Sequence, residues 1–343
     1  MDRRRGHRLR YIPVALAAAA FAACNAVSHP ATSTALPTIS TAAPSAARGP
    51  AAQVATAIRF EARGKPTRLP LVRATVGGVA TSLLVDTGAT THALASWLTR
   101  ASGLPAAKSE SERAADHDGN VVAVARADGV TVALDGLGPL TVRSFVVLDL
   151  PAVFEQSDVG GILSPQELAQ PGYDVVVDFE TETLSVERPG AARARLESGG
   201  GCALTPAPAH RCAGEDGTQR TGAMFAVAAT IAGEDTLLAL VTGAQVTDVF
   251  GTTRAASALR GTSLPAHENA TILSGETERS QTVSDVSVHV GACAFRRAVD
   301  VVAGRAGATC SREGVLGMDV LRSCRIVFEE GTALATCRPD AGR

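Results

Sequence analysis

Thr75-Val-Gly-Gly-Val-Ala-Thr-Ser-Leu-Leu-Val-Asp-Thr-Gly-Ala89 occurs a second time in this chain, in altered form, as Thr230-Ile-Ala-Gly-Glu-Asp-Thr-Leu-Leu-Ala-Leu-Val-Thr-Gly-Ala244. The two copies align without a gap at an offset of 155 residues. Each reads as a strand, a Gly-containing turn, a second apolar strand and a tight Thr-Gly loop. One difference bears on chemistry: Asp86 of the first copy faces Val241 in the second.

A second pair of blocks follows in the same order. Gly160-Gly-Ile-Leu-Ser-Pro-Gln-Glu-Leu168 corresponds to Glu313-Gly-Val-Leu-Gly-Met-Asp-Val-Leu321. Asp86 lies 75 residues before Gly161, and Val241 lies 73 before Gly314. Each block precedes a candidate terminal hairpin, VVVDFETETLSVER in one case and CRIVFEEGTALATC in the other. Two matching blocks at nearly equal spacing predict an internal duplication. The expected architecture is all-β, with homologous β-barrel lobes over 57–190 and 223–340 and a linker over 191–222. The composition agrees. Aromatic residues make up only 3% of the 343 residues, while Val, Ala, Thr and Gly abound, which suits short strands and tight turns.

The N-terminus reads as a targeting segment. Five arginines within residues 1–10 precede an apolar run over 11–23, too short to span a bilayer as a stable helix. The run ends in Phe21-Ala-Ala-Cys24, which resembles a bacterial lipobox with Cys24 as lipid acceptor; cleavage after Ala23 without lipidation is the alternative. Residues 24–56, rich in Ala, Ser, Thr and Pro, cannot bury a core and read as a flexible tether. Setting Cys24 aside leaves Cys202, Cys212, Cys293, Cys310, Cys324 and Cys337, an even six, all in the second half. In an exported chain these are disulfide candidates. One pairing follows from register: a hairpin turning at Glu330-Gly331 places Cys324 opposite Cys337. The other connectivity stays open. An exported protein of the bacterial cell envelope is expected, lipid-anchored or else periplasmic or secreted.

The run Leu83-Leu-Val-Asp-Thr-Gly-Ala89 delivers a carboxylate from a buried strand onto a turn. Gly88 lets the backbone fold closely around it, so nearby N–H groups can reach Asp86. This segment resembles the active-site loop of the aspartic peptidases, and Ala89 matches the retroviral-type form of that loop. Gly161-Ile-Leu163 and Gly314-Val-Leu316 are similar to the family's strand crossing behind the loop. The resemblance extends over about 57–340. It implies a bilobal fold with a cleft, Asp86 as catalytic carboxylate, and Thr87, Gly88, Ala89, Thr242 and Gly243 as the supporting loops. Thr87 and Thr242 would interlock the lobes. Asp116, His117, Asp118, Gly119 and Asn120 fall where a substrate-covering flap is expected, with Ser274-Gly-Glu276 as counterpart. The implied partner is a peptide or protein substrate.

Val241 departs from that pattern. Peptidases of this family pair two carboxylates that share a proton, one acting as general base while the other polarises the carbonyl. Valine can do neither. The expected function is therefore an aspartic-type endopeptidase impaired in hydrolysis, or a peptide-binding protein that has lost it. Asp235 and Asp248 are placed to point elsewhere, and pairing with a second chain would require lobe exchange.

His92 reads as a surface or satisfied histidine, since no Ser or Cys nucleophile motif accompanies it. Trp97 reads as packing, and Asp178 and Asp319 call for no catalytic role. No metal-ligand cluster, phosphate loop or cofactor motif is present. Lys plus Arg (32) nearly equals Asp plus Glu (34), so nothing in the charge points to nucleic acid. The sequence leaves the oligomeric state open.

Overall fold

The protein is described by a computed structural model over residues 22–23, 54–115, 121–169, 172–209, 224–260, 267–270, 277–303 and 312–339. The lipid-acceptor candidate Cys24, the flap residues His117, Asp118, Gly119 and Asn120 with their counterpart 274–276, and Cys212 and Cys310 lie outside the described residues.

The chain folds as two β-lobes, and the internal repeat reappears as repeated topology. In the first lobe Lys65–Val76 and Val79–Val85 form a hairpin across Gly77-Gly78. In the second, Met224–Ile231 and Glu234–Leu240 form its counterpart across Ala232-Gly233. All four turn residues have positive φ, as a twist-matched two-residue hairpin turn requires. Ala232 therefore holds a left-handed conformation that Gly77 adopts more easily.

A short strand crosses behind each hairpin. Val159–Leu163 runs parallel to Val79–Val85, with Leu83 opposite Gly161 and Val85 opposite Leu163. Gly314–Leu316 runs parallel to Glu234–Leu240, with Leu238 opposite Gly314 and Leu240 opposite Leu316. On its other side each crossing strand pairs antiparallel with a segment just beyond the Thr-Gly loop, Ala93–Ala95 or Thr247–Phe250. Glycine is needed where the strands are squeezed together. A Cβ on Gly161 would sit 3.2 Å from the Leu94 Cα, and one on Gly314 would sit 2.9 Å from the Val249 Cα.

The two terminal hairpins do not cap separate lobes; they join. Asp174–Asp178 pairs antiparallel with Cys324–Glu329, placing Val175 opposite Phe328 and Val177 opposite Ile326. The joined hairpins are flanked by Val54–Ala62 and by Cys202–Leu204 from the segment between the lobes. The resulting interlobe sheet is continuous with the first lobe, and one apolar core runs beneath it from Ile58 to Cys337. The stretch between the lobes, expected only as a linker, carries the helix Ala191–Ser198 and the strands Cys202–Leu204 and Ala207–Ala209.

Among the described residues, two disulfides tie this region. Cys324 and Cys337 face each other across their hairpin and are bonded, and Cys202 is bonded to Cys293. The second bridge fastens the edge strand Cys202–Leu204 to the Cys293–Val302 strand of the second lobe. All four cysteines are buried. Disulfides of this kind belong to an oxidising, extracytoplasmic compartment. Among the described residues, no helix is long and apolar enough to cross a membrane.

Candidate active site

The two Thr-Gly loops meet at the seam between the lobes, each held in the same way by its crossing strand. The Asp86 N–H donates to the Leu163 carbonyl at 2.9 Å, and the Val241 N–H to the Leu316 carbonyl at 3.1 Å. Each loop then closes on itself. Ala89 N–H donates to the Asp86 carbonyl at 3.2 Å, and Ala244 N–H to the Val241 carbonyl at 3.1 Å.

Across the seam the threonines exchange bonds. Thr87 N–H donates to Thr242 Oγ1 at 3.0 Å, and Thr242 N–H to Thr87 Oγ1 at 3.1 Å. Each hydroxyl then donates onward into the opposite lobe. Thr87 Oγ1 reaches the Leu240 carbonyl at 2.8 Å, and Thr242 Oγ1 the Val85 carbonyl at 2.6 Å. Both threonines are buried, so this fourfold exchange satisfies backbone groups that water does not reach.

Asp86 lies beside this exchange and is fully buried. Its Oδ1 accepts from the Gly88 N–H of its own loop at 2.8 Å and from the Gly243 N–H of the opposite loop at 3.0 Å. The second bond follows from the substitution at the partner position. In the first loop the carboxylate two residues upstream takes the glycine N–H; Val241 has no acceptor to offer Gly243, and that N–H turns to Asp86. Gly243 must be glycine here, because a Cβ would lie 2.6 Å from Asp86 Oδ2 and 2.7 Å from its Cγ. Val241 itself is buried in an apolar cluster with Met224, Ala239, Ala244 and Val315. The arrangement can hold a carboxylate rigidly by two amides. It offers no acid at the position facing Asp86.

Behind the loops lies a layer of side chains to which the sequence reading gave no site role. In the first lobe, Gln166 donates its Nε2–H to the Thr87 carbonyl at 3.0 Å and also to the Ala89 carbonyl. Ser164 Oγ donates to the same Ala89 carbonyl at 2.6 Å. In the second lobe the Met318 N–H donates to the equivalent Ala244 carbonyl at 2.8 Å. The first lobe needs side chains for this task because Pro165, at the position of Met318, has no N–H.

His92 belongs to the same layer and is buried against Phe145, with ring centroids 5.4 Å apart. Its Nδ1 accepts the Ser164 N–H at 3.1 Å. In the second lobe Thr247 Oγ1 does the same for the Gly317 N–H at 3.2 Å. Accepting at Nδ1 requires the neutral tautomer with its proton on Nε2. Burial pushes the His92 pKa down to about 4. The unfolded chain takes up this proton as pH falls below about 6.5, whereas the folded chain does so only near 4. His92 alone therefore removes roughly 3 kcal/mol of stability between pH 6.5 and pH 4. In chemical denaturation, His92→Asn, which keeps an acceptor but does not titrate, is expected to lose that share of the acid sensitivity. An unchanged pH slope would contradict this reading.

Trp97 is partly buried and packs against the main core. Asp178 pairs with Arg325, whose Nε donates to it at 2.7 Å across the interlobe sheet. Asp235 accepts from Thr230 Oγ1 within its hairpin at 3.2 Å, and Asp248 Oδ1 accepts from the Val315 N–H at 3.2 Å. Among the described residues no group of three or more His, Cys, Asp and Glu is disposed to hold a metal ion.

In comparisons with known proteins, residues 72–164 match the sequence profile of the aspartyl protease family. No curated protein matches the chain in sequence. Among solved structures the chain is similar to an aspartic proteinase from Irpex lacteus, at 12% identity and a TM-score of 0.45, over 83% of this chain and 98% of that one. The matched segment runs from Val72, in the strand Lys65–Val76, through the Asp86 loop to Ser164 behind it, so the likeness to the aspartyl protease family lies in the first lobe.

Proposed function

We propose that this chain is an aspartic-type endopeptidase homologue that takes a peptide segment between its lobes and is impaired in hydrolysing it. The observation that carries this is the bond from Gly243 N–H to Asp86 Oδ1, made where a two-carboxylate enzyme has its second acid. Asp86 retains the chemistry of a general base for water. Val241 supplies no proton to the scissile carbonyl and no acceptor to orient the water.

A second reading, a peptide-binding protein without turnover, is favoured by the burial of both positions. Asp86 and Val241 are each fully buried, and a carboxylate engaged by amides from both loops is suited to fixing the seam. On either reading the protein works outside the cytoplasm. The disulfides support this, as does the arginine-rich and apolar start of the chain. Lipid attachment at Cys24, with 24–56 as tether, would hold it at the membrane surface. Alternatively, cleavage at Ala23 would release it.

Binding separates these readings from an unrelated role. Labelled peptides from a diverse mixture are expected to bind the disulfide-bonded protein, and Asp86→Asn, which preserves shape and one acceptor oxygen, is expected to change affinity only a few-fold. Absence of binding by the folded wild-type protein across the mixture would remove both readings.

A further inference from the structure

The four bonded cysteines are gathered in one place. Cys337 lies in the middle strand of three, with Cys324 directly opposite it on one side and Cys202 directly opposite it on the other. Residues directly opposite in neighbouring antiparallel strands send their side chains to the same face of the sheet. That face is the one turned to the main core, where Cys202, Cys324 and Cys337 are buried with Leu204, Ile326 and Ala335. Cys293 meets this row from the second lobe. The sulfurs of Cys202 and Cys293 each lie 3.4 Å from the Cys337 carbonyl oxygen. Cys337 therefore has two cysteines in register and is bonded to one of them.

The two sides of Cys337 differ in spacing. Arg338 N–H donates to the Ser323 carbonyl at 2.9 Å, which makes Cys324 and Cys337 a non-hydrogen-bonded pair, the closer kind. Cys202 and Cys337 are then the wider, hydrogen-bonded kind, at about 5.5 Å between Cα atoms, a separation a disulfide can still span. Glycine lets the edge strand approach this far. Gly201 has a φ of +97°, and a Cβ there would sit 2.8 Å from the Cys337 carbonyl oxygen. The closer spacing favours Cys324 as the resting partner of Cys337, and Cys202 is bonded to Cys293 instead. Cys202 is also the most exposed of the four at 8%, in the strand at the margin of its sheet.

We propose that Cys337 is a shared cysteine. When the bond between Cys202 and Cys293 is opened, Cys202 displaces Cys324 from Cys337, and a covalent tie between lobe and sheet is exchanged for one within the sheet. The opening requires an external dithiol. One of its thiolates attacks Cys202 Sγ and Cys293 leaves as a thiolate; the second dithiol sulfur then displaces Cys202. The dithiol ends as a disulfide, and its two electrons reside on Cys202 and Cys293. In the exchange that follows, the Cys202 thiolate attacks Cys337 Sγ and the bond from Cys337 to Cys324 breaks. Cys324 departs with the electron pair and takes up a proton. One S–S bond forms and one breaks, with no net oxidation. The strand Cys293–Val302 thereby loses its covalent tie to the interlobe sheet. That strand runs beside Thr247–Phe250, which pairs in turn with the crossing strand Gly314–Leu316 behind the Val241 loop. The inference does not depend on whether the chain cleaves peptides.

Cys293→Ser in the full, oxidised protein tests this, because it leaves Cys202 as a thiol beside the intact bond. The variant is held at about pH 8, where a thiol is partly ionised, and quenched in acid. Mass-spectrometric mapping of its unreduced peptides is expected to find Cys202 joined to Cys337 in about a tenth of the molecules or more, with Cys324 free. Cys202 found only as a thiol, or joined to Cys212 or Cys310, would overturn the proposal. If the variant does not fold, wild type treated with less than one equivalent of dithiothreitol is quenched and mapped in the same way. A bond between Cys202 and Cys337 supports the proposal, and its absence, whichever bond the dithiol opens, ends it.

Discussion

Val241→Asp is expected to raise kcat/KM for peptide cleavage by about 100-fold or more in the acid range, the scale at which a positioned acid or base contributes. The backbone is already placed for it. Val241 N–H bonds to Leu316 as Asp86 N–H bonds to Leu163, and the two chains are locked in register by Thr87 and Thr242. A carboxylate at 241 would take back the Gly243 N–H now given to Asp86 and stand opposite it. Two such groups at close range share one proton, which yields an acid and a base from identical side chains. The substitution also places a polar group among Met224, Ala239, Ala244 and Val315, so lower stability accompanies the gain. Val241→Asn is the control, since it carries similar volume and polarity without the acid. Equal rates in the two variants, or no gain in a folded Val241→Asp protein, would contradict the assignment of Val241 as the missing partner.

The largest expected loss of stability is at the threonine exchange. Thr87→Val with Thr242→Val removes four buried hydrogen bonds and leaves the N–H groups of both residues and the carbonyls of Leu240 and Val85 without partners. At about 1–3 kcal/mol for each unsatisfied buried group, the pair should lose roughly 4 kcal/mol or more. The double Ser variant keeps both hydroxyls and should lose far less, about what a deleted buried methyl costs at each site. Urea denaturation followed by a probe in each lobe checks this. A loss below about 1 kcal/mol in the double Val variant would show that the seam is held by other contacts, the shared core and interlobe sheet being the obvious ones.

The duplication was legible because strand–turn–strand–loop units have strict local chemistry. Gly77-Gly78 and Ala232-Gly233 sit at turns that need positive φ, and Gly161 and Gly314 sit where strands leave no room for a side chain. The bond between Cys324 and Cys337 is readable for the same reason, since a two-residue turn fixes the register of its hairpin. The pairing of Cys202 with Cys293 joins residues 91 apart on different sheets, and no local rule specifies it. The merging of the two terminal hairpins was likewise invisible, because strand pairing between distant segments depends on the packing of whole lobes.

Side chains behind the loops escaped for a different reason. Gln166 and His92 have unremarkable neighbours in sequence, and only the folded chain brings Gln166 to the loop carbonyls and His92 to the Ser164 N–H. Gln166 could have been noticed through the Pro165 beside it, since a missing N–H at that point calls for a substitute donor.

The central claim is that Asp86 works without a second acid and that hydrolysis is impaired in consequence. It is tested most directly by measuring cleavage of a diverse peptide mixture between pH 3 and pH 8, with folded, disulfide-bonded wild type beside Asp86→Asn. The account predicts that wild-type cleavage, where it rises above the Asp86→Asn background at all, stays about 100-fold or more below that of Val241→Asp. Rapid wild-type cleavage, abolished by Asp86→Asn and not improved by Val241→Asp, would contradict it and show that another group supplies the acid that Val241 lacks.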